Sequence, residues 1–432
     1  MITNETERST TSSSTKSKVA LHSKSSVVVE SCQICSNVDL KSVLFLGYLP
    51  PVNTMPTIGT RPAEKTSYPA ELLYCTQCHL VQLGLTVDAG ILFPPEYPYT
   101  SGTTKVLREN FAELYNESSK LLSLKADDLI VDIGSNDGTL LSNFAKNHQV
   151  QGVTPEQMGK LAIERGIPTI ISFFNQSVVD QIVKTRSQAK VVTATNVFAH
   201  IENVHDVIKG IKNLLTDDGV FISESHYLLP LIETVQYDTI YHEHLRYYSL
   251  HSLKYLFEMH GLEIFHAKKI PSHGGSVRVY AAKPGKYQKE KSVENLLAEE
   301  KDVVISEKNF AKFKENVLLS KLSLHKMLYD LKKAGKKIYG VGAPSRASTL
   351  VNYVGLDDGI LDCVLEIKGS YKIGKYMPGT TIPVLEESKL FTDQPDVALL
   401  LSWHIADEIA VKFREKGFKG KFLVPLPEPR LI

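Results

Sequence analysis

At 432 residues the chain is too long for one ordinary core and implies two or three domains. Its 43% hydrophobic and 22% charged residues are the mix of a globular protein, and a net charge of +1 excludes a bulk field for nucleic acid or a membrane surface. No apolar run is long enough to span a bilayer. Residues 1–29, with "STTSSSTKSK", are Ser/Thr-rich and lack the apolar stretch of a signal peptide, so a disordered leader and a cytoplasmic protein are expected.

The first chemical signal is a pair of C-x-x-C knuckles, "CQIC" and "CTQC", which hold Cys32, Cys35, Cys75 and Cys78. Four thiolates suit tetrahedral zinc and leave no open position, so the ion is structural. A pair of redox dithiols is the alternative. The Pro-rich "LGYLPPVNTMP" between the knuckles requires an inserted loop, and a module over residues 30–88 is expected. His79 is an ordinary neighbour of Cys78. Cys363, in the apolar "ILDCVLE", reads as a small buried hydrophobe.

Next comes "DDLIVDIGSNDGTLLSNFAK", which reads as strand, glycine turn and helix. It is not G-x-G-x-x-G, because Ser135, Asn136 and Asp137 separate Gly134 from Gly138, and it lacks the Gly-Lys-Ser/Thr of a phosphate loop. The D-x-G-x-x-x-G pattern, with Asp132 at the strand end, resembles motif I of class I methyltransferases that use S-adenosylmethionine. In those enzymes the turn passes close under the cofactor. The second strand, in "HQVQGVTPEQ", ends on Thr154 where an acid usually meets the ribose, and Glu156 is the substitute considered. "AKVVTATNVFAH" and "GVFISESHYL" supply two further strands, the first followed by Asn196 and His200. The α/β alternation places this domain over 89–285.

Directly after the last of these strands lies "YDTIYHEHLRYYS", Tyr237 to Ser249. Sites in open α/β sheets form beyond the carboxyl ends of strands. No H-E-x-x-H pattern is present, so acid/base chemistry is favoured over a metal or a solvated loop. On a strand His242 and His244 would share a face, and Glu243 would fix a histidine tautomer. "NFAKFKENVLLSK" puts Phe310, Phe313 and Val317 on one helical face within a connector over 286–335. The final unit, 336–432, repeats the strand-loop-helix device in "KKIYGVGAPSRASTLVNY". Ser345 stands where a dinucleotide fingerprint needs glycine, so a reductase is disfavoured. In "HGGS", His273, Gly274, Gly275 and Ser276 could offer backbone N–H groups to phosphate, with a plain turn as the alternative.

Together, "CQIC…CTQC", "YPYTSGTT", "DIGSNDGTLL", "TNVFAHIENVHD", "YDTIYHEHLRYYS", "HGGSVRV", "GAPSRASTLVNY" and "YMPGTTIPV" resemble, in order, the nucleotide-sugar C-methyltransferases that act on C3 of 4-keto-deoxysugars. The resemblance implies a small zinc module, a class I methyltransferase domain and a C-terminal Rossmann-like domain that closes over the nucleotide sugar. It implies S-adenosylmethionine bound by Asp132, Gly134, Ser135, Asn136, Asp137, Gly138 and Asn196. It assigns catalysis to Tyr241, Glu243, His244, Asn196 and His200, with a further tyrosine at Tyr97 or Tyr99. Substrate contacts are expected from residues 273–276, Arg278 and Arg346. Arg346-Ala347 stands where the family often has Lys-Gly, which keeps a phosphate contact but restricts the backbone. His244 would take the C3 proton, steadied by Glu243, while Tyr241 donates to the enolate oxygen. A monomer with no nucleic-acid or membrane partner is expected. Transfer to oxygen or nitrogen of another small molecule, and a non-catalytic binding protein, are the rival readings. The sugar, the nucleotide and the stereochemistry stay open.

Overall fold

The computed structural model describes residues 25–93, 102, 104–155 and 157–432. Tyr97, Tyr99 and Glu156 lie outside them. The central unit is a seven-stranded sheet built on Leu129–Ile133, whose five residues are all buried, as a strand covered on both faces requires. Strand order across the sheet is Thr169–Ile171, Gln149–Thr154, Leu129–Ile133, Ala189–Thr195, Leu215–His226, Ser276–Ala282 and Glu263–Ile270. In chain order this is 3-2-1-4-5-7-6. Ser276–Ala282 is antiparallel to both of its neighbours, and the other strands run in parallel. The order reverses between Leu129–Ile133 and Ala189–Thr195, so the crevice for a ligand opens at the carboxyl ends of those two strands.

Alternation along the strands splits the core. Leu129, Val131 and Ile133 join a large apolar cluster that runs through all three parts of the chain. Ile130 faces the opposite layer with Leu107, Phe111 and Leu114 of helix Lys105–Leu122. That helix stops at Ser123, which takes left-handed dihedrals.

The N-terminal module is a four-stranded sheet in the order Leu40–Leu49, Tyr68–Cys75, Val81–Leu83 and Arg246–Tyr247. Its fourth strand is therefore contributed by the methyltransferase segment: Arg246 pairs with Gln82 and Tyr247 with Val81, antiparallel. A smaller ladder joins Ser26–Val28 to Leu85–Val87.

Helices Lys291–Val304 and Glu307–Lys333 follow the central domain. The second buries Phe310, Phe313 and Val317 and continues that face through Leu324 and Leu328. The last unit is a six-stranded sheet, Val384–Glu386, Cys363–Glu366, Ile338–Val341, Val397–Leu400, Lys421–Val424 and Arg430–Leu431, or 3-2-1-4-5-6 in chain order. Only its last strand is antiparallel. This is the Rossmann-like arrangement, and Cys363 is buried in its second strand. Among the described residues no helix is long and apolar enough to cross a membrane.

Candidate active site

The two knuckles fold alike. Cys32 O accepts the Ser36 amide at 2.9 Å, and Cys75 O accepts the His79 amide at 3.0 Å. Ser36 and His79 both take φ 60°. The four sulfurs lie within 4.8 Å of one another, and the Cys32–Cys78 and Cys35–Cys75 pairs are 3.4 Å apart. Sulfurs about 2.3 Å from a tetrahedral zinc stand about 3.8 Å from each other, so the set fits that ion. Burial pushes the Cys35 thiol up to about 12, a cost that a dication among the sulfurs removes. His79 bonds the Tyr74 hydroxyl through Nδ1 at 2.6 Å.

The glycine turn hangs from the neighbouring strand: the Gly134 and Ser135 amides donate to Val153 O at 2.8 and 3.2 Å. Gly134 and Gly138 have φ of +74° and +75°. A Cβ on Gly134 would stand 2.8 Å from Val197 Cγ2, in the loop after the fourth strand. Close packing of that loop therefore demands the glycine, in addition to any ligand. Asp132 is buried and accepts from Thr193 Oγ1 at 2.6 Å, and burial raises its carboxyl to about 7. Asp137 is held by Thr139, by the Gly102 amide and by Arg165. Thr154 is buried under Gly159. Two buried polar atoms beside the turn, Ser135 Oγ and Asn196 Oδ1, have no partner among the described residues. They suit the amino-acid end of S-adenosylmethionine, which brings both donors and acceptors.

Beyond the strand ends lies a cluster of packed histidine rings. Tyr237–Thr239 is a single 3-10 turn, and only Arg246–Tyr247 of the segment is strand. His242 and His244 consequently do not share a face. His242 reaches into the zinc module, with Nε2 3.2 Å from Pro69 O and its ring against Tyr68. His244 sits in the cluster, its ring 4.1 Å from Tyr241, 4.9 Å from His200 and 5.1 Å from His226 (centroid distances). His226 in turn meets His273 at 5.6 Å. The tautomer of His244 is set by the backbone: Nδ1 lies 2.9 Å from Thr239 O, so Nδ1 carries the proton and Nε2 the lone pair. Glu243 does not make this contact. Its carboxylate accepts from Asn53 Nδ2 at 2.6 Å, tying the segment to the Pro-rich loop of the zinc module.

Burial holds these histidines neutral. His244 and His226 lie well below 6.5, through burial first and then through neighbouring histidines. Burial puts His200 at about 4, and burial with Arg346 puts His273 at about 4. His404, also beside Arg346, is pushed to about 2, again chiefly by burial.

Three expected substrate contacts are occupied by protein. Arg346 pairs with Asp238 through Nε at 2.7 Å and Nη2 at 2.8 Å, and its remaining bonds go to Gln236, His273 O and His404. Every guanidinium nitrogen of Arg278 also has an acceptor, among Glu224, Glu113, Glu117 and Asn110. These buried charges are matched by protein carboxylates rather than presented to a phosphate. In the 273–276 turn the Gly275 amide donates to Ser272 O, and a Cβ on Gly274 or Gly275 would meet Gln236 or Pro230 at 2.6 Å. The turn packs against the Gln236 and Pro230 side chains instead of forming an open anion cradle, although the His273 ring stays in contact with His226.

Sequence reasoning passed over His226, Asn53, Asp238, Thr239 and His404. His226 ends the fifth strand of the central sheet, at the carboxyl edge where sites of such sheets form. His404 lies just past strand Val397–Leu400, at the equivalent edge of its own sheet. Asn53 carries no signal in the sequence.

A sheet of this order, with a glycine turn on its first strand and orphaned polar atoms beside it, defines an S-adenosylmethionine-dependent methyltransferase carrying a structural zinc. Family models match residues 32–93 ("Putative zinc binding domain"), 105–267 ("Methyltransferase domain") and 271–427 ("C-methyltransferase C-terminal domain"). The chain is 31% identical over 414 residues to the C-methyltransferase NovU of Streptomyces niveus, covering 94% of this chain and 97% of that protein. The chain therefore belongs to the C-methyltransferase family. Solved structures with partial likeness include an S-adenosylmethionine-dependent methyltransferase from Clostridium acetobutylicum (14% identity, 41% of this chain and 92% of that one, TM-score 0.32). Another is magnesium protoporphyrin IX methyltransferase from Synechocystis with bound SAH (14% identity, 41% and 84%, TM-score 0.33).

Proposed function

We propose that the protein methylates C3 of a nucleotide-linked 4-keto-deoxysugar through an enolate, with His244 as the general base. The observation that carries this reading is the bond from His244 Nδ1 to Thr239 O at 2.9 Å. It leaves Nε2 as a proton acceptor inside the buried histidine cluster, beside Tyr241 and next to the switch point of the sheet. The C4 ketone acidifies the C3 hydrogen. His244 Nε2 takes that proton, and the charge left behind moves to the C4 oxygen. The Tyr241 hydroxyl donates to that oxygen, together with Tyr97 or Tyr99. S-adenosylmethionine, seated on the Gly134–Gly138 turn with Asn196, supplies an electrophilic methyl group for which the enolate carbon is the nucleophile.

Depression of the His244 basicity is compatible with this role. Deprotonation of a neutral ketone by a neutral imidazole creates two opposite charges in contact, and each offsets the burial cost of the other. His200, at a ring distance of 4.9 Å, is held neutral by burial as well.

The test is a panel of 4-keto nucleotide sugars incubated with labelled methyl donor, with products read by NMR. A new C3–methyl signal supports the reading. A methyl on oxygen or nitrogen, or no transfer to any 4-keto substrate, overturns it.

A further inference from the structure

The turn that carries Thr239 is gripped from outside the methyltransferase domain. Helix Ser345–Val354 belongs to the C-terminal sheet, and its Arg346 and Thr349, three residues apart, share one face. Arg346 binds both oxygens of Asp238 at 2.7 and 2.8 Å and reaches Gln236 Oε1 at 3.2 Å. Thr349 Oγ1 donates to Ile240 O at 3.0 Å. Trp403 Nε1, from the same domain, donates to Asp238 Oδ2 at 2.7 Å, and the Trp403 ring lies 5.0 Å from the Arg346 guanidinium. Asp238 is wholly buried. The residues on both sides of Thr239 are thus fixed by the C-terminal domain, and the Thr239 carbonyl is what holds His244 Nδ1.

We infer that Arg346 and Thr349 are positioning residues: by fixing Asp238 and Ile240 they keep the Thr239 carbonyl where it retains the Nδ1 proton of His244, leaving Nε2 free. The inference rests on the reading of His244 as the base. A neutral imidazole carries one proton, on either nitrogen, and the form protonated at Nε2 cannot accept from C3. Glu243, the nearest acid in sequence, is turned to Asn53 and cannot replace Thr239. The base is therefore armed only while the C-terminal domain is docked on residues 236–240, which makes that domain part of the catalytic apparatus even where it touches no substrate.

Two substitutions separate this role from general support. Thr349→Val keeps the shape and removes the donor to Ile240. Asp238→Asn keeps the shape and removes the charge that Arg346 clamps. Full-length protein labelled with nitrogen-15 in histidine reports which ring nitrogen carries the proton, and His244→Asn identifies the His244 signals by their loss. We expect each variant to retain zinc and S-adenosylmethionine affinity, while the His244 signature changes from a single Nδ1-protonated form to a mixture. kcat should fall about 10- to 100-fold with KM little changed, as for a misplaced catalytic group. If Asp238→Asn does not fold, Thr349→Val carries the test alone. A wild-type His244 signature in Thr349→Val overturns the inference, whether or not kcat falls. If that happens while His244→Asn is inactive, the base assignment stands and only the positioning role is lost. If His244→Asn itself turns over normally, the base assignment falls and this inference with it.

Discussion

His244→Asn separates two things that one ring does. The amide of asparagine reaches about as far as Nδ1, so its N–H can still donate to Thr239 O, which accepts at 2.9 Å in the native protein. What asparagine lacks is the distal nitrogen. The fold should therefore lose no more than about 1 kcal/mol, the worth of one hydrogen bond imperfectly replaced. Loss of a general base costs about 10²- to 10⁴-fold in rate. That corresponds to about 3 to 5.5 kcal/mol in the activation barrier. The large effect belongs to turnover and the small one to stability, so the two are readily told apart. The assay has three arms: turnover on a 4-keto nucleotide sugar, S-adenosylmethionine affinity by calorimetry, and exchange of the C3 hydrogen with deuterated solvent in the absence of methyl donor. Expected results are collapse of turnover, loss of any exchange that wild type shows, and near-normal cofactor affinity. Turnover close to wild type would refute the argument and move the base to His200 or His226, the rings in contact with His244.

Glu243→Gln retains an oxygen that can accept from Asn53, so its turnover should drop less than that of His244→Asn; an equal or larger drop would give the carboxylate a chemical role. Gly134→Ala places a methyl group 2.8 Å from Val197 at φ +74°. Left-handed backbone costs about 1–2 kcal/mol and overpacking about 1–3, so both melting temperature and cofactor affinity should fall. Wild-type affinity in that variant would separate the turn from the site. Elemental analysis should find one zinc per chain, and chelation should abolish turnover, because the stripped module also supports Glu243 and strand Arg246–Tyr247; full turnover without zinc refutes this. Stability should fall as pH drops below about 6.5. His200 and His273 stay neutral in the fold down to about 4 but take up protons when unfolded, so protons favour the unfolded chain in that window. Each contributes up to about 1.4 kcal/mol per pH unit. Asp132, raised to about 7, works the other way and offsets roughly one histidine, leaving the remaining depressed histidines to set the sign. A melting temperature unchanged between about pH 7 and about pH 5 would refute the assignment of these rings as buried and neutral.

The parts legible in sequence are those in which local chemistry and long-range structure coincide. Cys32, Cys35, Cys75 and Cys78 announce themselves because thiolate pairs at this spacing have few other uses, and the sulfurs do converge. Gly134 and Gly138 stand out because a left-handed turn after an apolar strand needs them. What could not be read was the direction of side chains in a segment without regular periodicity. On a strand His242 and His244 would share a face, whereas the irregular backbone between Thr239 and Arg246 sends one into the zinc module and the other against His200 and Tyr241. Arg346 and Arg278 were expected to contact substrate because their partners, Asp238 and Glu224, are more than fifty residues away in sequence. Thr239 was invisible for a simpler reason: its contribution is a carbonyl, which every residue possesses.

The borrowed fourth strand of the zinc sheet has a consequence for biosynthesis. Val81–Leu83 is complete long before its partner Arg246–Tyr247, which follows roughly 160 residues later. At about 5–20 residues per second that is a wait of about 8 to 30 s on the ribosome. During that interval the edge of Val81–Leu83 stands unpaired, with its amides and carbonyls open to any passing strand. Metal capture at the two knuckles needs only residues 32–78 and can come first. The nascent chain can thus hold its complete zinc ligand set while that edge is still open, and arrival of the catalytic segment is what closes the sheet.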